Sequence, residues 1–326
     1  MLRRRRLLAA ASCAGAAVAG CLDGTGGDRD VGVDDAATGD GATGDTATGD
    51  GATGGRYEFD DRPTAIAHRG FAGTYPENTI DAFEAAPGTR GNDDLSRPAD
   101  WIELDVFPTS DGEIVVFHDE ELEGVTDSTG VIYETQATEV RSAEVLESGN
   151  TVPTLADAME AIPDEIGVNV DVKNGSGNVD RGRVADPAGE REEWAWLETV
   201  IGVLSDYDNE VLCSSFWEGA LFALHEFDPE MPIAYIFSGS IREGLSVTDD
   251  YGAAAVSAPV RMILGTPYFD ATGHAPIDLV EEAHDRGLPI HVWTVETWHQ
   301  AEQLNAVGVD GLFLDYPGAV HWGDSR

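Results

Sequence analysis

The sequence predicts an α/β chain whose ordered part is a (β/α)8 barrel, the TIM barrel. Three observations carry this. Tyr57 to Arg326 is 270 residues, the size of one such barrel. Within that stretch, short β-branched runs alternate with amphipathic stretches, the order that makes a parallel sheet. Neither GxGxxG nor GxxxxGK[ST] occurs there, which weakens the alternative, a doubly wound open sheet that binds nucleotide.

Taken in order, the strand candidates are Thr64–Ala67, Trp101–Val106, Glu113–His118, Gly167–Val172, Glu210–Ser214, Pro232–Phe237, Ala253–Ser257, Pro289–Val295 and Gly311–Leu314. Apolar residues three or four apart mark helices over Thr154–Ile162, Glu192–Tyr207, Gly219–Phe227, Ile277–Arg286 and His299–Val307. Thr154 suits an N-cap and Asp157 a first-turn acid.

Two segments precede the barrel. Residues 1–21 start with Arg3 to Arg6, continue as a short apolar run and end in small residues before Cys21. That is the pattern of an export signal, too short for a membrane span. Arg5-Arg6-Leu7-Leu8 fits the twin-arginine type, and Val18-Ala19-Gly20-Cys21 fits a lipobox in which Cys21 is lipidated. The expectation is an exported protein held to the outer face of the cell membrane by its lipid anchor alone. Residues 22–56 repeat ATGD-type units and carry no large apolar side chain after Val33, so they are expected to be a disordered acidic linker. The remaining cysteine of the barrel segment, Cys213, reads as a small buried hydrophobe.

Charge excludes one class of partner. There are 61 acidic and 19 basic side chains, a formal net charge of −42, with no basic stripe to track a nucleic-acid backbone. Such a chain repels itself in dilute salt, whereas molar salt shortens the Debye length to about 3 Å. A salt-loving source is expected. Eighteen of the cations are Arg, and Lys173 is the single Lys. It stands at a strand end, two residues past Asp171, where a compact ammonium can meet phosphate as Arg cannot.

Other polar residues fall at strand ends, where a parallel barrel places its chemistry. His68-Arg69 follows the first strand. Glu103 and Asp105 share a face of the second, since residues two apart point the same way. His118-Asp119 follows the run 113–117. Asn169, Asp171 and Lys173 share the face opposite three valines. Acids are so common here that Glu103 and Asp105 alone mean little, and Trp293 alone would read as core. Together, three carboxylates offer hard oxygen ligands for one Ca2+ or Mg2+, two histidines can act as acid and base, and one Arg and one Lys can hold phosphate oxygens.

These residues also form ordered motifs: His68-Arg69-Gly70, Pro76-Glu77-Asn78-Thr79, Glu103-Leu104-Asp105-Val106, His118-Asp119, Val152-Pro153-Thr154-Leu155, Asp171-Val172-Lys173, Trp293-Thr294-Val295 and Asp315-Tyr316-Pro317. In this order the chain resembles glycerophosphodiester phosphodiesterases. The resemblance implies a TIM barrel that splits a small-molecule glycerophosphodiester into glycerol phosphate and an alcohol, with one divalent metal. It implies Glu103, Asp105 and Asp171 as metal ligands, and His68 and His118 as the catalytic acid and base. Arg69 and Lys173 would contact phosphate, Trp293 would line the glycerol pocket, and Glu77 would support the site. A glycerol hydroxyl would attack phosphorus to give a cyclic product that water then opens.

The chain departs from the family pattern at Asp171, where Glu is usual, at Glu296 and at Leu314. It adds an insertion over Gly88–Ala99 and a polar loop over Gly175–Gly189. A phosphodiesterase acting on intact lipids and a non-catalytic solute-binding lipoprotein remain as alternatives.

Overall fold

The computed structural model describes residues 62–88 and 98–320. The export signal with Cys21, the linker 22–56 and most of the Gly88–Ala99 insertion lie outside the described residues. Among those described, no helix is long and apolar enough to cross a membrane.

Eight parallel strands form a closed barrel. They are β1 (Thr64–Ala67), β2 (Trp101–Pro108), β3 (Gly167–Val172), β4 (Val211–Ser215), β5 (Ile233–Ile236), β6 (Ala255–Pro259), β7 (Ile290–Val295) and β8 (Gly311–Leu314). Each pairs with its neighbour in sequence, and β1 closes the ring by pairing with both β2 and β8. The helices are α1 (Ile80–Ala85), α2 (Ala137–Val140), α3 (Leu155–Ala161), α4 (Leu197–Leu204), α5 (Glu218–Phe227), α6 (Ile241–Asp250), α7 (Leu279–Asp285) and α8 (Trp298–Ala306). All but α2 follow a barrel strand as its crossover, and the main core fills the space between them and the strands.

Strand β3 shows why the pattern folds this way. Val168, Val170 and Val172 are fully buried in that core, and each contributes about 1.5–3 kcal/mol by leaving water. The alternate face carries Asn169 and Asp171 to the barrel interior. Thr154 caps α3 as expected. Its hydroxyl accepts from the Asp157 amide (3.0 Å) while the Asp157 carboxylate accepts from the Thr154 amide (3.2 Å). Cys213 is buried and free, and burial pushes its thiol up to about 12.

One expected strand has a different role. The segment 113–118 is not a barrel stave. Ile114–Val116 turns back antiparallel on the overlong β2, pairing Val116 with Val106. The excursion that follows has its own small core, built around Phe107, Val115, Phe117, Leu122 and Ile132. The sequence also leaves α6 unmarked, because Ile241–Asp250 mixes four charged side chains with few apolar ones. The helix expected over Glu192–Tyr207 is regular only at Leu197–Leu204.

Replacing the α3 cap, Thr154→Ala, is expected to lower unfolding stability by about 1 kcal/mol with the denaturant slope unchanged, as read by chemical denaturation.

Candidate active site

Register builds the centre of the site. Strand β2 lies beside β3 with Glu103 opposite Asn169 and Asp105 opposite Asp171. Glu103, Asp105 and Asp171 are buried at the C-terminal mouth, and one carboxylate oxygen from each lies within 4.8 Å of the others. Lys173, one step beyond β3, turns its ammonium back between two of them. Nζ donates to Asp171 Oδ2 (2.6 Å) and pairs with Asp105 Oδ1 (2.8 Å).

The turn after β1 braces the same cluster. His68–Gly70 forms a short 3-10 turn in which Arg69, Gly70 and then Phe71 all have positive φ. Such a run disfavours L residues, and Gly70 has no alternative, since a Cβ there would sit 2.7 Å from that of Ala82. The conformation aims the Arg69 amide at Glu103 Oε2 (2.8 Å). It sets the guanidinium against Glu77 (3.0 Å) and beside Asp105 (3.4 Å). The Pro76-Glu77-Asn78-Thr79 motif thus divides into three tasks. Glu77 fixes Arg69. Asn78, itself left-handed at φ 55°, donates from Nδ2 to Asp105 Oδ2 (2.8 Å). Thr79 caps α1.

Electrostatics follow from this packing. Burial works against the Asp105 charge, but Lys173 and Arg69 outweigh it and hold its carboxyl far below the usual carboxylate range. Burial pushes Glu103 well above that range, with the charges of Asp105 and Asp171 adding to it. Burial also raises Asp171, with Lys173 opposing. Burial disfavours the Lys173 ammonium, yet Asp105, Asp171 and Glu103 hold its pKa above the ordinary lysine value.

Both histidines reach the same cleft, of about 510 Å³ including its open mouth. His118 gets there by the hairpin, which carries it back down beside β2. Each imidazole rests its Nδ1 on a carboxylate: His68 on Asp315 Oδ1 (2.7 Å) and His118 on Asp119 Oδ1 (2.6 Å). A carboxylate can only accept, so Nδ1 carries the proton and Nε2 is left for chemistry. Trp293 lines the cleft from the end of β7, in edge contact with Phe216 (5.5 Å between centroids). Among the described residues, four buried polar atoms of cleft residues have no hydrogen-bond partner: Arg69 Nε, Asp171 Oδ1, Ser257 Oγ and Trp293 Nε1.

Every barrel residue expected at the site is therefore in one place. Arg69, Glu103, Asp105, Asp171, Lys173, His68, His118 and Trp293 line the cleft, with Glu77 one contact behind. Sequence reasoning quoted Asn78, Asp119 and Asp315 in motifs but assigned them no task, and passed over Phe216 and Ser257. Asn174 is buried, with Oδ1 accepting from Gly177 (3.0 Å) in its own turn.

A closed parallel barrel with buried carboxylates, paired cations and two carboxylate-oriented histidines at its C-terminal mouth defines an enzyme of phosphoester hydrolysis. The chain belongs to the glycerophosphoryl diester phosphodiesterase family, whose model matches residues 68–319. A glycerophosphodiester phosphodiesterase of Bacillus altitudinis is 28% identical over 262 residues, covering 77% of this chain and 94% of that protein. A phosphodiesterase of Oleispira antarctica, solved in complex with the product sn-glycerol-3-phosphate, is 27% identical with a TM-score of 0.62 over 78% of this chain and 94% of that one. The glycerophosphodiester phosphodiesterase of Thermotoga maritima, 22% identical, shares the fold with a TM-score of 0.58 over 78% of this chain and 96% of that one.

Asp315→Asn keeps the size of the His68 partner but removes its charge and can present an amide N–H to Nδ1. Turnover is expected to fall on the order of 10²-fold with KM little changed, measured as steady-state kinetics on a glycerophosphodiester.

Proposed function

We propose that the protein hydrolyses glycerophosphodiesters to glycerol phosphate and an alcohol at this mouth, with one divalent cation, Ca2+ or Mg2+. The observation that carries the reading is the oxygen-only trio of Glu103, Asp105 and Asp171 sharing a cleft with two oriented histidines. Asp171 Oδ1 has no hydrogen-bond partner among the described residues, and burial raises the pKa of both Glu103 and Asp171. A hard cation would satisfy both, so the residues fit the ion the family implies. Held by these three carboxylates, it would turn a centre of three anions and two cations from net negative to net positive, matching a singly charged phosphodiester.

The chain's own groups do the rest. One histidine Nε2 takes the proton from an attacking glycerol hydroxyl as its oxygen bonds to phosphorus. The other gives a proton to the oxygen of the departing alcohol as that P–O bond breaks. Water then opens the cyclic phosphodiester with the roles exchanged, leaving glycerol phosphate. Arg69 and Lys173 hold positive charge beside the phosphoryl oxygens. The unpartnered Ser257 hydroxyl and Trp293 N–H are donors suited to a polyol. The Oleispira structure, solved with the product sn-glycerol-3-phosphate, supports glycerol phosphate as the product here. In the same proposal the chain is exported and Cys21 anchors it by lipid to the outer face of the membrane. About 35 linker residues would give it a reach of roughly 30 Å.

His68→Ala and His118→Ala are each expected to lower turnover by about 10²–10⁴-fold, assayed as glycerol phosphate release in molar salt. Full activity in either variant overturns the acid–base assignment. EDTA is expected to abolish turnover and Ca2+ or Mg2+ to restore it. As pH falls from neutral, protons refill the raised carboxyls of Glu103 and Asp171, so apparent cation affinity by calorimetry is expected to fall. Cys21→Ser is expected to move activity from the membrane fraction to the medium.

A further inference from the structure

The polar loop over Gly175–Gly189 holds two arginines with opposite surroundings. Arg183 is committed to α6, donating to Ser246 Oγ (3.0 Å) and Asp250 Oδ2 (2.8 Å). Arg181, two residues away, has no carboxylate within ion-pair distance among the described residues. It shares that with Arg191, Arg242 and Arg261, but of these four only Arg181 lies against a residue that lines the cleft. Its guanidinium lies instead over the ring of Phe216, 3.7 Å from the centroid, and near Trp217 at 5.8 Å. Phe216 lines the catalytic cleft and packs edge-on against Trp293. Burial lowers the pKa of this guanidinium, with the charges of Asp171 and Tyr235 opposing.

The loop is pinned on both sides of Arg181. Before it, Asn174 Oδ1 accepts from Ser176 (3.2 Å) and Gly177 (3.0 Å). After it, the Gly182 amide donates to Phe216 O (3.0 Å), the Glu218 amide donates to Gly182 O (3.2 Å), and the Val184 amide donates to Glu218 Oε2 (2.8 Å). The position of Arg181 is therefore set by the β4–α5 turn that also presents Phe216. Arg69 and Lys173 already have their charges matched by carboxylates. Arg181 has no carboxylate partner of that kind among the described residues and lies on the ring of Phe216, which lines the cleft.

We propose that Arg181 and Phe216 form a subsite for a second anionic group of the substrate, beyond the scissile phosphodiester. The preferred substrates are then glycerophosphodiesters that carry another phosphodiester or phosphate. This rests on the hydrolase reading above and adds a charge preference to it. Bidentate contact with phosphate oxygens suits a guanidinium, and the ring beneath it keeps the fork oriented while one face stays open.

The test compares glycerophosphoglycerol, with one phosphodiester, against bis(glycerophospho)glycerol, with two. Both are assayed at the same molar salt with wild type, Arg181→Gln and Arg181→Lys. The ratio of kcat/KM for the bis-anionic over the mono-anionic diester is expected to fall about fivefold in Arg181→Gln and to be partly kept in Arg181→Lys. An unchanged ratio, or an equal fall on both diesters, overturns the subsite. Calorimetric binding of bis(glycerophospho)glycerol in EDTA, where it is not consumed, makes the comparison without turnover. Weaker binding by Arg181→Gln than by wild type supports the subsite, and equal binding refutes it. Absence of turnover of either diester by wild type with cation refutes the hydrolase reading alone.

Discussion

The ammonium of Lys173 between Asp105 and Asp171 is the interaction on which the mouth depends. Three carboxylates cannot be buried side by side without compensation, because each loses its hydration and repels the others. Lys173 and Arg69 supply that compensation from opposite sides of Asp105. Removing one partner of such a pair leaves an uncompensated buried charge, which typically costs about 3–5 kcal/mol. The space between two carboxylates on adjacent strands suits a compact point charge, and a planar guanidinium would not enter it without spreading β2 and β3. That is a physical reason for a chain that otherwise uses Arg for every cation to keep Lys here.

The surrounding structure holds this cluster still. The left-handed turn at Arg69-Gly70-Phe71 exists because its amide and side chain must face Glu103, Glu77 and Asp105 together. Asn78 clamps the far oxygen of Asp105. The two histidines are arranged alike although they arrive by different routes, His68 from the end of β1 and His118 from a hairpin that doubles back on β2. In each, a carboxylate on Nδ1 selects the tautomer and leaves Nε2 free. Much of the geometry of the mouth is thus spent orienting the few side chains that reach the cleft.

Much of this was legible in the chain before folding. The alternation of valines with Asn169, Asp171 and Lys173 follows from the two-residue period of a strand, and the capping box at Thr154 and Asp157 is local chemistry. The direction of 113–118 was not legible. A run of alternating residues looks the same whether it continues the barrel or folds back, and the difference lies in pairing with Val106 and Phe107. The bracing tasks of Asn78 and Asp315 were hidden because their partners are 27 and 247 residues away. The Gly175–Gly189 loop read only as polar; the contrast between Arg181 and Arg183 needs the positions of Phe216 and Asp250.

By itself the sequence determined the class of fold, the family and the set of side chains that gather at the mouth, because strand period, crossover length and ordered motifs are properties of short stretches of chain. Tertiary structure alone decided which oxygen meets which nitrogen: that Lys173 lies between Asp105 and Asp171, that Asp315 holds His68, and that Arg181 lies on Phe216 at the rim. Those outcomes depend on register between strands and on the close packing of groups distant in sequence, and neither is encoded in any local pattern.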